Sequence, residues 1–199
     1  MPSTSSTRAA SAARKEILDT LKDDHKRVKK AYRDFQKLDI DEDKDSVEAI
    51  VEQVLEELTV HATLEEELLY PAARGAIADE NLIDEAEVEH ETVHALIDQL
   101  KSMGPDDEKY AARFTVLCEY VTHHVKEEEG EMFPQLERTR LDWQALAAEM
   151  RERRSELSGN GGDALDSESA SDSNLSDDVA QGVAAKGGAA SRGGAARRA

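Results

Sequence analysis

The chain has a single cysteine, Cys118, among 199 residues, so no disulfide can form within it and its stability must come from packing or from bound groups. It has no apolar run long enough to cross a bilayer and no apolar segment of signal-peptide type, which excludes a membrane partner of the spanning kind. Basic residues are the minority, 25 Lys and Arg against 44 Asp and Glu, for a net charge of −19. Binding of nucleic acid needs clustered cations against phosphate, so no nucleic-acid partner is expected. The working location is the cytoplasm. Aromatic residues make up only 4% of the chain, which leaves a core of leucine, valine, isoleucine and alanine.

The remaining composition divides the chain. Residues 158–199 are glycine, alanine, serine and charge without an aromatic, and cannot bury enough apolar surface to offset ordering entropy. They are expected to be a disordered tail, and residues 1–13 a disordered lead. Residues 14–157 carry the large apolar residues and read as one domain.

Within that domain apolar residues recur at alternating steps of three and four, the pattern of helices with one buried face. Helices are predicted near 14–38, 46–73, 80–101 and 106–138, with a shorter one after Asp142 carrying Trp143, Leu146 and Met150 inward. Short joints such as "SMGPDD" make neighbouring helices antiparallel. The fold class is all-α, an up-down antiparallel four-helix bundle with a short C-terminal helical extension.

The inward stripes contain residues foreign to a hydrocarbon core. Five of the six histidines, His25, His61, His90, His94 and His124, fall on or beside them, together with Glu65 and Glu128. Burying so many polar groups without partners would cost several kcal/mol, and a shared metal is the natural partner. The motif is doubled. "HATLEEELLYP" from His61 and "HVKEEEGEMFP" from His124 each place a glutamate four residues after the histidine and a proline ten after it. A histidine and a glutamate four apart stack one turn above each other and can reach one point. "DDHKRV" around His25 and "VEHETV" around His90 repeat in the same way, so two hairpins each offer three ligands, and His94 is a seventh. Helical phase turns Glu66 and Glu67 outward and keeps Glu129 as a reserve for Glu128. Pro71 and Pro134 should kink or end their helices, with Tyr70 and Phe133 as core plugs.

Five imidazoles and two carboxylates exceed one tetrahedral zinc and suit two six-coordinate ions. Nitrogen and oxygen donors without thiolate point to iron, with manganese or zinc as substitutes. The extra His94 gives one ion three imidazoles, which leaves the open position on the other.

Over about residues 14–140 these motifs resemble the hemerythrin-like (HHE cation-binding) proteins. The resemblance implies a non-haem di-iron centre with an oxo, hydroxo or water bridge. His90, His94 and His124 would sit on one iron, His25 and His61 on the other, and Glu65 and Glu128 across both. It implies binding or sensing of dioxygen, or of another diatomic or peroxide ligand. An enzyme acting on peroxide or nitric oxide, or a protein of iron homeostasis, is the alternative. No separate acid–base constellation accompanies the ligands, so no catalytic residue is assigned.

Overall fold

The computed structural model describes residues 4–159, which form one compact unit. Most of the expected tail lies outside the described residues. Four long helices form the bundle: α1 (Thr4–Phe35), α2 (Lys44–Leu64), α4 (Asn81–Lys101) and α5 (Tyr110–Glu127). The short helices α3 (Tyr70–Ala73) and α6 (Phe133–Leu136) continue α2 and α5, and α7 (Trp143–Gly159) packs across α1 and α2. Helix α1 contacts α2 and α5, and α4 contacts α5 and α2, which closes a ring of four. There is no strand among the described residues, and no helix among them is long and apolar enough to cross a membrane.

Helix α1 corrects one expectation. It begins at Thr4, so residues 4–13, expected to be disordered, are helical. Their alanines favour helix, and Ala13 and Ile17 bury in one cluster with Trp143, Ala147 and Met150 of α7. Helix α5 begins at Tyr110, later than expected. In the joint before it Asp106 pairs with Lys44, while Asp107 accepts from the Gly104 amide at 2.8 Å.

Histidines and carboxylates interrupt the core and divide it in two. One apolar cluster holds Leu21, Leu64, Ala86, Met132 and Phe133 with the inner face of α7. The other holds Val28, Leu58, Val93, Val121 and Phe114. On each long helix the polar residues lie between these flanks: His25 between Leu21 and Val28, His61 between Leu58 and Leu64, His90 between Ala86 and Val93. Apolar walls on both sides shut water out of this layer.

The two prolines act differently from a simple kink. Pro71 has no N–H to give the carbonyl four residues back, and the turn before it widens into a π-helical turn over Glu65–Leu69, closed by Tyr70 N–H donating to Glu65 O. Pro134 follows the same course, with a π turn over Glu128–Met132 closed from Phe133 N–H to Glu128 O. Each π turn therefore starts on a carboxylate of the polar layer. An i to i+5 closure brings residue i+5 over residue i, whereas an α-helix would carry it about 140° away.

Candidate metal centre

Six of the seven predicted ligands meet in the layer. His25, His61, His90 and His124 are 2–5% exposed, Glu65 is 0% and Glu128 1% exposed. Ligand atoms of His25, His61, Glu65 and Glu128 all lie within 4.8 Å of one another, as do those of Glu65, His90 and His124. Glu65 thus belongs to both groups. Its Oε2 is 3.1 Å from His61 Nε2 and 3.6 Å from His90 Nε2. Glu128 Oε2 lies 3.4 Å from both His25 Nε2 and His124 Nε2, and so also spans the two halves.

Each imidazole is oriented by a carboxylate behind it. His25 Nδ1 is 2.8 Å from Glu129 Oε1, and His90 Nδ1 is 2.8 Å from Glu66 Oε1. His124 Nδ1 is 2.7 Å from Glu89 Oε2, and His61 Nδ1 is 3.3 Å from Asp24 Oδ2. An ionised carboxylate only accepts, so each Nδ1 donates and each Nε2 turns inward. His25 Nε2 and His61 Nε2 then face each other at 3.2 Å, as do His90 Nε2 and His124 Nε2. Two lone pairs at that distance repel unless a proton or a metal ion joins them. Burial opposes charge on His61, but Glu65, Asp24 and Glu128 outweigh it and hold its pKa up at about 10. Burial opposes charge on His124 too, and Glu128, Glu89 and Glu65 hold it at about 11.

The site also leaves acceptors unused. Among the described residues, Glu65 Oε1 and Glu128 Oε2 are buried without a hydrogen-bond partner. An orphaned buried carboxylate oxygen costs free energy that a cation would recover. With four inward imidazole nitrogens, the donor set fits a pair of metal ions. The outward carboxylates complete the carboxylate–histidine–metal pattern that fixes tautomer and ring orientation.

His94 stands apart from this cluster. Its side chain is 39% exposed, and Nε2 is 2.8 Å from Glu66 Oε1. One turn beyond His90 places it over the rim of the layer, so it supports Glu66 from outside. The inward imidazoles stand as two pairs, His25 with His61 and His90 with His124, and His94 joins neither. Glu128 and Glu129 differ in depth: Glu128 is buried in the layer, whereas Glu129 is 35% exposed and serves His25 Nδ1.

Sequence reasoning missed four residues. Glu66, expected to face solvent, anchors His90. Asp24 and Glu89 anchor His61 and His124, and Tyr70, expected as a plug, donates its hydroxyl to Glu128 Oε1 at 3.0 Å. Burial and then the charges of Glu128 and Glu65 push the Tyr70 pKa up, so the phenol keeps its proton and donates. The signal lay in the repeat. An acid precedes the histidine in both "DDH" and "VEH", and another follows the inward glutamate in both "EEE" runs. A further donor group, Glu89, His123 and Glu127, lies on the outer side of His124.

A cavity of about 20 Å³ borders the four histidines, walled by Val28, Leu58, Val93, Val121 and Val125. That volume admits about one molecule the size of water.

The chain matches the family model for the hemerythrin HHE cation binding domain over residues 16–158. It is similar in fold to the hemerythrin HHE cation binding domain-containing protein of Mycobacterium kansasii, with a TM-score of 0.59 and 23% identity over 71% of this chain and 86% of that one. It is also 28% identical over 117 residues to a DNA nickase of Nostoc sp.. That match takes in 59% of this chain and 32% of the nickase, so the chain spans about a third of that relative's length. With its repeated ligand motifs gathered on four helices and the family model covering the whole bundle, the chain belongs to the hemerythrin HHE cation-binding family.

Proposed function

We propose that this chain holds two iron ions in the polar layer and takes dioxygen there. His25 and His61 serve one ion, His90 and His124 the other, and Glu65 and Glu128 span the pair. The observation that carries the reading is the set of four inward imidazole nitrogens, facing in pairs at 3.2 Å with every Nδ1 tied to a carboxylate. Iron is favoured by nitrogen and oxygen donors without thiolate. When bound, the ions supply electrons and an open coordination position for a small ligand.

The protein's own residues set what enters. A cavity of about 20 Å³ with valine and leucine walls admits a small neutral molecule and disfavours a hydrated anion. Asp24 is the one acid lining that cavity. Burial works against its charge, but bonds from His61 and Arg154 outweigh this and hold its carboxyl well below the usual carboxylate range. It therefore stays ionised behind His61.

The test is metal analysis followed by oxygen cycling. The reading expects two irons per chain and a visible charge-transfer band that appears in air and disappears on degassing. His90→Ala should lower iron content. Full di-iron content in that variant would refute the ligand assignment. Irreversible oxidation with fast peroxide consumption would replace the carrier or sensor reading with an enzyme.

A further inference from the structure

We infer that Arg154, on the C-terminal helix, is a positioning residue for one of the two metal positions, the one built by His25 and His61. The inference rests on the two-ion reading and adds to it a link between α7 and the centre. Of the four carboxylates that orient the histidines, Asp24 is the most deeply buried. Its side chain is 4% exposed, against 13% for Glu89, 34% for Glu66 and 35% for Glu129. It is also the one held by guanidinium groups. Arg154 donates through Nη2 to Asp24 Oδ2 at 2.6 Å and through Nη1 to Oδ1 at 3.2 Å. Arg27 adds a bond to Oδ1.

The geometry makes this a relay. Oδ2 accepts from both Arg154 Nη2 and His61 Nδ1, so the guanidinium and the imidazole share one oxygen. The other three carboxylates have no such brace: Glu89 has His123 at 3.8 Å, Glu129 has Lys29 at 3.8 Å, and Glu66 has His94. Helix α7 is seated by Trp143, Leu146, Ala147 and Met150, all buried, which fixes where Arg154 can reach. Without Arg154, Asp24 keeps only Arg27, itself half-exposed, and is free to rotate off His61. His61 then loses its fixed ring orientation, while His90 and His124 keep theirs. Loss of such an orienting partner typically lowers metal affinity 10–100-fold.

By reciprocity, an ion at this position must also tighten the docking of α7.

The experiment is a calorimetric titration of the full chain with Co²⁺, comparing wild type, Arg154→Gln, Arg154→Lys and Arg153→Gln. Arg153 is the control, because it bonds Glu67 at the surface, at 2.7 and 2.9 Å, from the same helix. Expected are two ions in wild type, about a tenfold loss for one ion in Arg154→Gln with the other within about twofold, partial recovery with lysine, and no change in the control. Hydrogen exchange in α7 should slow when the second ion binds, and lose that response in Arg154→Gln. Both ions unchanged, or both weakened equally, would overturn the positioning role. A wild-type chain that takes up fewer than two ions would instead sink the two-ion reading beneath it.

Discussion

Replacing Tyr70 with phenylalanine removes one hydroxyl from the driest part of the molecule. Tyr70 is 0% exposed and Glu128 1%, so no solvent takes the place of the lost donor. A hydrogen bond to a charged acceptor contributes roughly 1.5–3 kcal/mol net, and an orphaned buried acceptor is at the upper end of what such a change costs. A loss of about 2 kcal/mol follows. At about 2.1 cal/mol/K per residue, the unfolding entropy over residues 4–159 is about 0.33 kcal/mol/K, so the melting temperature should fall by about 6 °C. Thermal unfolding followed by circular dichroism in excess chelator measures this directly. With metal ions bound as proposed, a cation would support Glu128 as well, and the loss should shrink. The reverse change supplies the counter-test. Phe133 occupies Tyr70's place in the second hairpin and stacks on His25 with ring centroids 6.1 Å apart. Glu65 Oε1, the counterpart of the oxygen Tyr70 serves, has no partner. Phe133→Tyr should therefore raise the melting temperature. A Tyr70→Phe protein that melts within about 1 °C of wild type in chelator would show that the hydroxyl does not support Glu128.

His94→Ala should keep two ions, since His94 touches Glu66 and not the centre; loss of an ion on elemental analysis would restore it as a ligand. Metal uptake should release protons at neutral pH, because His61 and His124 hold theirs up to about pH 10 and 11 when no metal is bound. Both pKa values are raised on folding, so their contribution to the metal-free protein is complete below about pH 6.5, the unfolded value, and is lost as pH climbs through 10 to 11. Calorimetry in two buffers of different ionisation enthalpy should show about two protons released, and a release near zero would contradict the pairing. Phe114→Ala should cost about 3–5 kcal/mol, or about 9–15 °C by the same entropy. Phe114 is fully buried, with Phe35 and Tyr32 at 4.6 and 6.3 Å, and the variant should still bind two ions if it folds.

How far the centre was legible in the chain depends on distance along it. Helical phase singled out Glu65 and Glu128 among runs of acids, because residues four apart on one helix share a face whatever surrounds them. It misjudged Glu66 for a physical reason: the count of 100° per residue stops at a π turn, and Glu66 follows the point where that turn begins.

His94 shows a different limit. Its spacing from His90 equals that of a ligand pair, but one turn beyond His90 it lies at the rim of the layer, where Glu66 accepts from both histidines. Arg154 is more remote still, and nothing local ties it to residue 24.

The sequence by itself determined the helices, the doubled histidine–glutamate motif and six residues of the buried polar layer, because amphipathic periodicity and i to i+4 contacts are properties of a short piece of chain. Tertiary structure alone decided which carboxylate stands behind which histidine, that the inward imidazoles face each other in two pairs, and that α7 reaches Asp24 behind one of them. Those pairings join residues from 24 to 130 positions apart, and such a contact exists only after the helices have chosen their neighbours.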